Sequence, residues 1–314
     1  MRPRDRRLVA LVGPTASGKT DLAVQAVEQA GCPVEIVILD SRQLYRGLDL
    51  GTGKPDAEQR RRVPHHLLDC LELHETPDAM DYRRRVEAVA SEILARGAVV
   101  LLVGGAGFYL RALREGFHDF EYTSAELGRV RERLSCMDDE TLRESLRSLD
   151  PRTAERLHPN DRYRISRALE LCELSGRTAS ELEAEFRARP ILDASFKVAL
   201  LMPAAEILHE RIAQRTGLWL EAGWQEEIRD LLDSGIDPAA AGLDILGYRQ
   251  VGALLRGEMT REECLEQIVV ATRRYARAQR TWFRKEQARL NFAAHDAAAV
   301  QALAALLREC AAAP

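Results

Sequence analysis

The chain has 314 residues, of which 46% are hydrophobic and 30% charged, and its formal net charge is −4 at pH 7. This composition supports a sizeable core in one large or two modest domains, and it excludes an overall basic chain, so any nucleic-acid surface must be a local patch. Since no apolar run approaches the roughly 18 residues of a membrane span and the six cysteines include no C-x-x-C pair, we expect a cytoplasmic protein without a zinc centre.

The first predicted strand, Leu8–Val12, runs directly into a G-x-x-x-x-G-K-T motif. We call this motif the phosphate loop, and its residues are Gly13, Pro14, Thr15, Ala16, Ser17, Gly18, Lys19 and Thr20. The glycines let successive N–H groups point inward, Lys19 supplies a positive charge, and the Thr20 hydroxyl suits a Mg²⁺ ion. A helix that begins here also directs its positive end at the bound anion. The motif predicts a phosphate compound and magnesium, but it does not decide which compound.

The second predicted strand, Val34–Leu39, ends at Asp40. In an open parallel sheet the carboxyl ends of the strands line the ligand crevice, so Asp40 should face the phosphate loop. Its carboxylate would then coordinate magnesium or act as a general base. Because Asp-Ser is also a common helix start, a helix N-cap at Asp40 stays open as an alternative.

The remaining elements predict an α/β fold with a P-loop NTPase-like parallel sheet and a helical insertion domain. Nearly continuous apolar runs are typical of strands that are buried on both faces, and such runs recur at Val99–Val103 and Phe196–Leu201. Helical periodicity marks Tyr82–Arg96, Ala204–Leu290 and Ala297–Cys310. The charge-rich segment 118–195 has a helical period and no strand pattern. We therefore assign 1–117 and 196–314 to the core with its C-terminal helices, and 118–195 to the insertion.

Further motifs follow in a fixed order along the chain. They are Pro64-His65-His66-Leu67-Leu68-Asp69, Val103-Gly104-Gly105-Ala106-Gly107-Phe108-Tyr109-Leu110, His158-Pro159-Asn160-Asp161, Gly247-Tyr248-Arg249-Gln250 and Thr281-Trp282-Phe283-Arg284. With the phosphate loop, this order resembles the tRNA dimethylallyltransferases, also called tRNA isopentenyltransferases, of the bacterial type, up to about Lys285. The resemblance implies transfer of a dimethylallyl group from dimethylallyl diphosphate to N6 of adenosine 37, beside the anticodon of tRNAs that read codons beginning with U.

The resemblance also implies which residues act on the donor. The phosphate loop would hold a diphosphate that leaves, with magnesium on Thr20. Asp40 would remove a proton from the adenine amine, which is a poor nucleophile because its lone pair is delocalised. Lys19, Thr20 and the loop N–H groups would stabilise the charge on the leaving group. Arg215 is similar to an arginine that the family uses as a further diphosphate clamp, although in sequence it also fits a solvated helix charge.

A second set of residues would contact tRNA. The adenine must leave the stacked anticodon loop before it reacts, and the resemblance assigns its recognition to the stretch Asp40, Ser41, Arg42 and Gln43. Neighbouring nucleotides would meet Ala106, Tyr163, Arg164, Ile165, Ser166, Arg167, Gly247, Tyr248, Arg249 and Gln250. Arg277 and Arg280 belong to a basic run interleaved with aromatic residues, a pattern that suits RNA phosphates but also occurs on solvated helices.

Three positions depart from the family pattern. Ala106 stands where the family usually has threonine, which removes one hydrogen bond of about 1 kcal/mol or leaves it to water. Gly53 replaces an alanine, and Ala278 replaces a basic residue. The phosphate loop and Asp40 are unaffected.

The side chains of the adjacent residues His65 and His66 point in different directions on an extended chain. We therefore expect these histidines to position their loop or meet RNA phosphates instead of binding zinc.

A kinase of small molecules or nucleotides is the alternative function. It would use the same phosphate loop, the insertion as a lid and Asp40 as the base toward a hydroxyl. A GTP switch is disfavoured because the chain contains no N-K-x-D motif. The partners that we expect are tRNA and dimethylallyl diphosphate with Mg²⁺, no membrane is expected, and the protein should be a monomer.

Overall fold

The computed structural model describes residues 7–76, 78–115, 122–186, 197–240 and 242–312. The chain divides into two compact units, one made of Met1–Arg114 and Leu192–Pro314 and the other of Glu115–Ile191. The predicted domain boundaries at 118 and 195 both lie outside the described residues. No helix in the described ranges is long and apolar enough to cross a membrane.

A parallel six-stranded sheet forms the centre of the first unit. Its strands are β1 (Leu8–Val12), β2 (Val34–Leu39), β3 (His65–His66), β4 (Val99–Gly104), β5 (Lys197–Leu201) and β6 (Leu290–Phe292), in the order β3-β2-β4-β1-β5-β6. Gly104 at the end of β4 is in register with Val12 of β1 and with Leu39 of β2. The three central strands therefore end at one level, and the loops that follow them share one edge. The predicted α/β parallel-sheet fold is confirmed.

Both units contain helices. In chain order they are α1 (Lys19–Ala30), α2 (Ala57–Arg62), α3 (Ala79–Ala95), α4 (Gly107–Glu115), α5 (Ser124–Ser135), α6 (Asp139–Leu149), α7 (Pro151–Arg156), α8 (Arg162–Ser175), α9 (Ala179–Phe186), α10 (Ala205–Glu221), α11 (Trp224–Asp233), α12 (Tyr248–Leu255), α13 (Arg261–Phe283) and α14 (Ala297–Ala311). Helices α5 to α9 belong to the second unit and the others to the first.

The core of the first unit lies between the sheet and helices α1 and α14. Fully buried side chains from both helices, such as Leu22 and Leu303, pack on Leu11 of β1 and Leu101 of β4. Each such side chain contributes about 1.5–3 kcal/mol relative to exposure. On α3, the buried Tyr82 donates a hydrogen bond from its hydroxyl to the carbonyl of Ile38 at 2.8 Å. This contact anchors β2 directly before Asp40.

Some predicted element bounds differ from the structure. The helix predicted from Tyr82 starts three residues earlier, because the Asp78 carboxylate accepts hydrogen bonds from the Met80 and Asp81 N–H groups and caps it. The helical segment predicted over Ala204–Leu290 consists of four separate helices and reaches the first residue of strand β6. Strands β3 and β6 were not predicted, because two or three residues are too short to show a period of two.

The second unit has its own core. Leu134, Leu142, Leu146, Ile165 and Leu169 are buried together and come from helices α5, α6 and α8. The buried Asp150 ties α6, α7 and α9, since its carboxylate accepts from the Thr153 hydroxyl at 2.6 Å and from the Ser180 N–H at 2.8 Å. Burial alone would raise the pKa of Asp150, but these hydrogen bonds outweigh it and the pKa is lowered.

Candidate active site

The phosphate loop is curled tightly between β1 and α1. A Cβ atom on Gly13 would come within 2.1 Å of the Leu201 carbonyl oxygen, so only glycine fits at this position. Ala16 and Gly18 have left-handed φ values of 61° and 90°, a backbone conformation that suits an anion-binding loop. The Lys19 ammonium donates to the Pro14 carbonyl at 2.6 Å and to the Ser17 hydroxyl at 3.3 Å. The loop therefore forms an anion cradle with a cation folded into it.

Lys19 is a poorly solvated cation. Burial lowers its pKa to about 7; the negative charge of Asp40 acts against this shift, and the nearby Arg215 adds to it. A lysine with this pKa is half neutral at pH 7. A negatively charged group beside the ammonium would favour its protonated form.

Asp40 directly follows β2, at the level of Gly104. Its carboxylate accepts a hydrogen bond from the Arg42 N–H at 2.8 Å, and the residues after it form turns instead of a helix. The helix N-cap alternative is therefore wrong. Burial raises the pKa of Asp40, while the Arg42 N–H and the charge of Lys19 limit the rise. A carboxylate in this environment is a stronger base than a solvated aspartate.

One cavity of about 870 Å³ contains both groups. Its walls include the phosphate loop from Thr15 onward, the stretch Asp40–Gln43, and side chains of α10 and α13. The aligned strand ends explain this convergence, because the loops after β1, β2 and β4 leave the sheet at the same edge. A phosphorylated ligand in the loop would have its other end near the Asp40 carboxylate.

Helix α10 adds two arginines to the loop. Arg215 donates from Nη2 to the Thr15 hydroxyl at 3.0 Å, and Arg211 donates from Nη1 to the Ser17 carbonyl at 3.2 Å. The Arg215 guanidinium carbon also lies 4.4 Å from the centre of the Trp219 ring. Burial lowers the pKa of Arg215 to about 10. The alternative of a solvated helix charge at Arg215 is therefore wrong.

The segment Gly51–Lys54 forms one wall of the cavity and is held from several sides. Gln43 donates from its amide nitrogen to the carbonyls of Thr52 and Gly53 at 3.2 and 3.1 Å. The Lys54 ammonium, with a side chain only 1% exposed, contacts Asp49 at 2.7 Å and Asp69 at 2.5 Å. The amide nitrogen of Gln43 is thus engaged with backbone, so its carbonyl oxygen is the atom left for a ligand.

Tyr248 has a structural position instead of the predicted place at a nucleotide. Its side chain is 1% exposed, its hydroxyl donates to Glu227 at 2.5 Å, and the same hydroxyl accepts from the Gly51 N–H at 3.1 Å. Its ring has no free face for a base. Gly247 is also packed, because a Cβ there would lie 2.4 Å from the Trp224 ring. Gln250 caps the Gly247 N–H at 2.8 Å, and Arg249 is exposed.

Gln279 of α13 was not predicted, yet it joins two loops of the site. Its side chain is buried, accepts from the Thr15 N–H at 2.8 Å and donates to the Gly105 carbonyl at 2.9 Å. The sequence does carry a signal, because Gln279 falls on the buried stripe of α13 that contains Ile268, Thr272 and Phe283. A glutamine on an otherwise buried stripe requires hydrogen-bond partners across the interface.

The other predicted tRNA residues are distributed over both units. In the first unit Ala106 lies between β4 and α4, Arg277 is exposed on α13, and Arg280 is half-buried and donates to the Pro203 carbonyl. In the second unit Tyr163 is 80% exposed at the start of α8, next to the exposed Arg164. On the same helix Ile165 is buried in that unit's core, and Arg167 pairs with Glu170 at 2.5 Å. The side chain of Ile165 is therefore unavailable for a nucleotide.

The donor set of the cavity is compatible with Mg²⁺. The described residues contain no cluster of three His, Cys, Asp or Glu side chains that would cage a metal ion. Magnesium does not need such a cage, since it is commonly held by one or two protein oxygens together with phosphate oxygens and waters. Thr20 lines the cavity directly after Lys19, and its hydroxyl is the protein oxygen that would hold the ion.

The fold and the cavity define an α/β protein with a parallel sheet, in which a G-x-x-x-x-G-K-T loop and the half-buried Asp40 line one cavity. The family model described as IPP transferase matches residues 43–286, and the chain therefore belongs to the IPP transferase family.

Individual relatives agree with this assignment. The chain is 42% identical to a tRNA dimethylallyltransferase 1 of Citrifermentans bemidjiense, over 89% of this chain and 90% of that protein. Its fold is similar to the crystal structure of the full-length tRNA isopentenylpyrophosphate transferase of Bacillus halodurans, with a TM-score of 0.67, 30% identity, and coverage of 97% and 98%. A eukaryotic dimethylallyltransferase, crystallised acting on tRNA, gives a TM-score of 0.73 at 25% identity, with coverage of 88% of this chain and 69% of that one.

Proposed function

We propose that this protein transfers a dimethylallyl group from dimethylallyl diphosphate to N6 of adenosine 37, next to the anticodon, in tRNAs that read codons beginning with U, and releases diphosphate. The observation that carries the proposal is that the phosphate loop and Asp40 line the same cavity. The names of the relatives agree with it, since they describe dimethylallyl or isopentenyl transfer to tRNA.

On the donor side, the chemistry is the departure of diphosphate from an allylic carbon. The C–O bond breaks and its electron pair remains on the diphosphate, so negative charge increases there. The loop N–H groups, Lys19 and Arg215 are polar or cationic, and their interactions with the diphosphate become more favourable as that charge increases. A Mg²⁺ ion on Thr20 would add further positive charge at the phosphates.

On the acceptor side, a new N–C bond forms at the adenine amine, and the amine must lose a proton. Asp40 is the residue proposed to accept it, because burial raises its pKa and makes it a stronger base, while the Arg42 N–H and the charge of Lys19 limit the rise. Ser41, Arg42 and the carbonyl oxygen of Gln43 would hold the edge of the extruded base.

The charge distribution of α13 suits an RNA substrate. Although the chain is acidic overall, this helix and the residues after it carry Arg273, Arg274, Arg277, Arg280, Arg284, Lys285 and Arg289. Such a local cationic stripe is what RNA phosphates require. A bound tRNA would also cover the cavity and keep water from hydrolysing the allylic donor. We propose that the enzyme acts as a monomer in the cytoplasm.

The test is a transfer assay with a matched pair of variants. The purified protein is incubated with Mg²⁺, radiolabelled dimethylallyl diphosphate and a tRNA whose anticodon ends in A, and the digested RNA is searched for labelled N6-prenyladenosine. We expect Asp40→Asn to lower the rate by about 10² to 10⁴. Asp56→Asn is the control, because Asp56 only caps α2 and asparagine caps equally well. No labelled adenosine, together with ATP-dependent phosphorylation of a small molecule, would favour a kinase instead.

A further inference from the structure

The positive charge of Arg215 is not compensated by the hydrogen bonds that this side chain makes. Burial lowers its pKa, and no carboxylate within the described parts of the chain forms an ion pair with it. One of its nitrogens donates to the Thr15 hydroxyl, but Nε is buried and has no hydrogen-bond partner in the structure. A buried cation without a counter-ion is costly unless another group stabilises it.

The group that contacts the guanidinium is the indole of Trp219. Arg215 and Trp219 are four residues apart on α10, so they lie one above the other on the same helix face. The guanidinium carbon is 4.4 Å from the ring centre, which is within the range of a cation–π interaction.

The ring itself is held by its neighbours. A Cβ on Gly53 would lie 3.3 Å from two atoms of the Trp219 ring, so the Gly51–Lys54 segment closely approaches the indole. Trp224 meets Trp219 edge to face, with ring centres 5.7 Å apart at 87°. The rotamer of Trp219 is thus restricted by packing, and it presents a fixed surface to Arg215.

From this geometry we infer that Trp219 is a positioning residue for the diphosphate. Its π face contacts the Arg215 guanidinium from one side, which leaves the in-plane Nη N–H groups that do not donate to Thr15 available for phosphate oxygens. A carboxylate partner would compete for those N–H groups and neutralise the charge, whereas an aromatic ring does neither. The inference rests on the proposed function, since it names how the diphosphate clamp of that reaction is held in place.

The experiment changes the electrostatics of the ring without changing its shape. Tryptophan analogues with one, two and four fluorine atoms are placed at position 219 alone by site-specific incorporation, because each fluorine weakens the negative potential of the ring face. The dissociation constant for inorganic pyrophosphate with Mg²⁺ is measured by calorimetry. We expect it to rise stepwise with the number of fluorines, by about tenfold in total for the tetrafluoro analogue.

Two control series separate this role from packing. The same analogues at Trp282, which contacts Gly107 outside the cavity, should leave the dissociation constant unchanged. On an Arg215→Gln background the analogues at position 219 should also have no effect, because the cation they act on is gone. Thermal unfolding of each protein shows whether the fold is retained.

Each outcome decides the inference. A stepwise rise that disappears with Arg215→Gln supports it. A dissociation constant that is independent of fluorination at position 219, in a protein that binds pyrophosphate and prenylates tRNA, overturns it and leaves the proposed function standing. A wild-type protein that binds no pyrophosphate overturns both.

Discussion

At the scale of single residues, the site combines a cation and an anion that are both disfavoured by burial. The pKa of Lys19 is lowered to about 7 and the pKa of Asp40 is raised, in each case first by desolvation. Each charge partly stabilises the other. The proposed reaction would bring a diphosphate to Lys19 and a proton to Asp40, and it would thereby relieve both penalties.

Lys19 should couple pyrophosphate binding to proton uptake. At pH 8 a lysine with a pKa of about 7 is mostly neutral, and a bound anion returns it to the charged form, so about 0.9 of a proton is taken up. Calorimetry at pH 8 in buffers of different ionisation enthalpy measures this number. The relevant quantity is the difference from Lys19→Met, since pyrophosphate also titrates. Equal uptake by both proteins would contradict the prediction.

Asp40 should set the acidic limb of the pH–rate profile. A general base acts when it is deprotonated, so a raised pKa means that kcat/KM increases with pH through a midpoint above the ordinary value of 3.8. The profile should be measured with saturating tRNA from pH 4 to pH 7. The pH–rate profile of the residual activity of Asp40→Asn should lack this acidic limb. A limb of equal position in both proteins would assign it to another group.

At the scale of elements, α13 has two faces with separate tasks. Its buried stripe places Gln279 between the phosphate loop and the loop after β4, while its exposed face carries Arg277 and other cations. Because helical side chains keep a fixed angular spacing, the two tasks can be altered independently.

Gln279→Met should loosen the phosphate loop. The substitution keeps the volume but leaves the Thr15 N–H and the Gly105 carbonyl without their partner, at a cost of about 1–3 kcal/mol in the free energy of unfolding. Urea denaturation measures this cost, and calorimetry should show weaker pyrophosphate binding. Full stability with unchanged affinity would mean that water replaces the amide without penalty.

Arg277→Gln, on the other face of the same helix, should leave stability and pyrophosphate affinity unchanged. If Arg277 contacts an RNA phosphate, its loss lowers the slope of log K against log salt for tRNA binding by about 0.7–0.9. The measurement is a filter-binding titration at several salt concentrations. An identical slope would remove Arg277 from the RNA surface.

At the scale of the whole molecule, the two units have separate hydrophobic cores. The core of the first lies on the parallel sheet, and that of the second is helical in its described residues, with Leu146 fully buried at its centre. Separate cores predict that damage to one unit is local.

Leu146→Ala should therefore destabilise the second unit selectively. A buried leucine truncated to alanine costs about 2–5 kcal/mol. Hydrogen exchange followed by mass spectrometry on the full chain should show faster exchange in peptides from helices α5 to α9, with unchanged protection in β1 and β4. Faster exchange of the sheet strands to the same degree would show that the units unfold together.

The sequence by itself determined the motifs that depend on local spacing. The phosphate loop requires glycines and a lysine at fixed separations, and the long buried strands require runs of apolar residues, so both could be predicted. The order of the motifs was sufficient to indicate the family. Interactions between residues that are close in sequence, or that repeat with a regular period, leave a pattern that can be recognised in the sequence alone.

Only the tertiary structure decided which distant side chains meet. Gln279 lies 264 positions from Thr15, Tyr248 lies 197 positions from Gly51, and Arg215 lies 200 positions from Thr15. The structure moved Tyr248 from the predicted RNA surface into the core and added Gln279 and Trp219 to the site. Such contacts depend on packing between elements, and packing has no period that a sequence pattern can display.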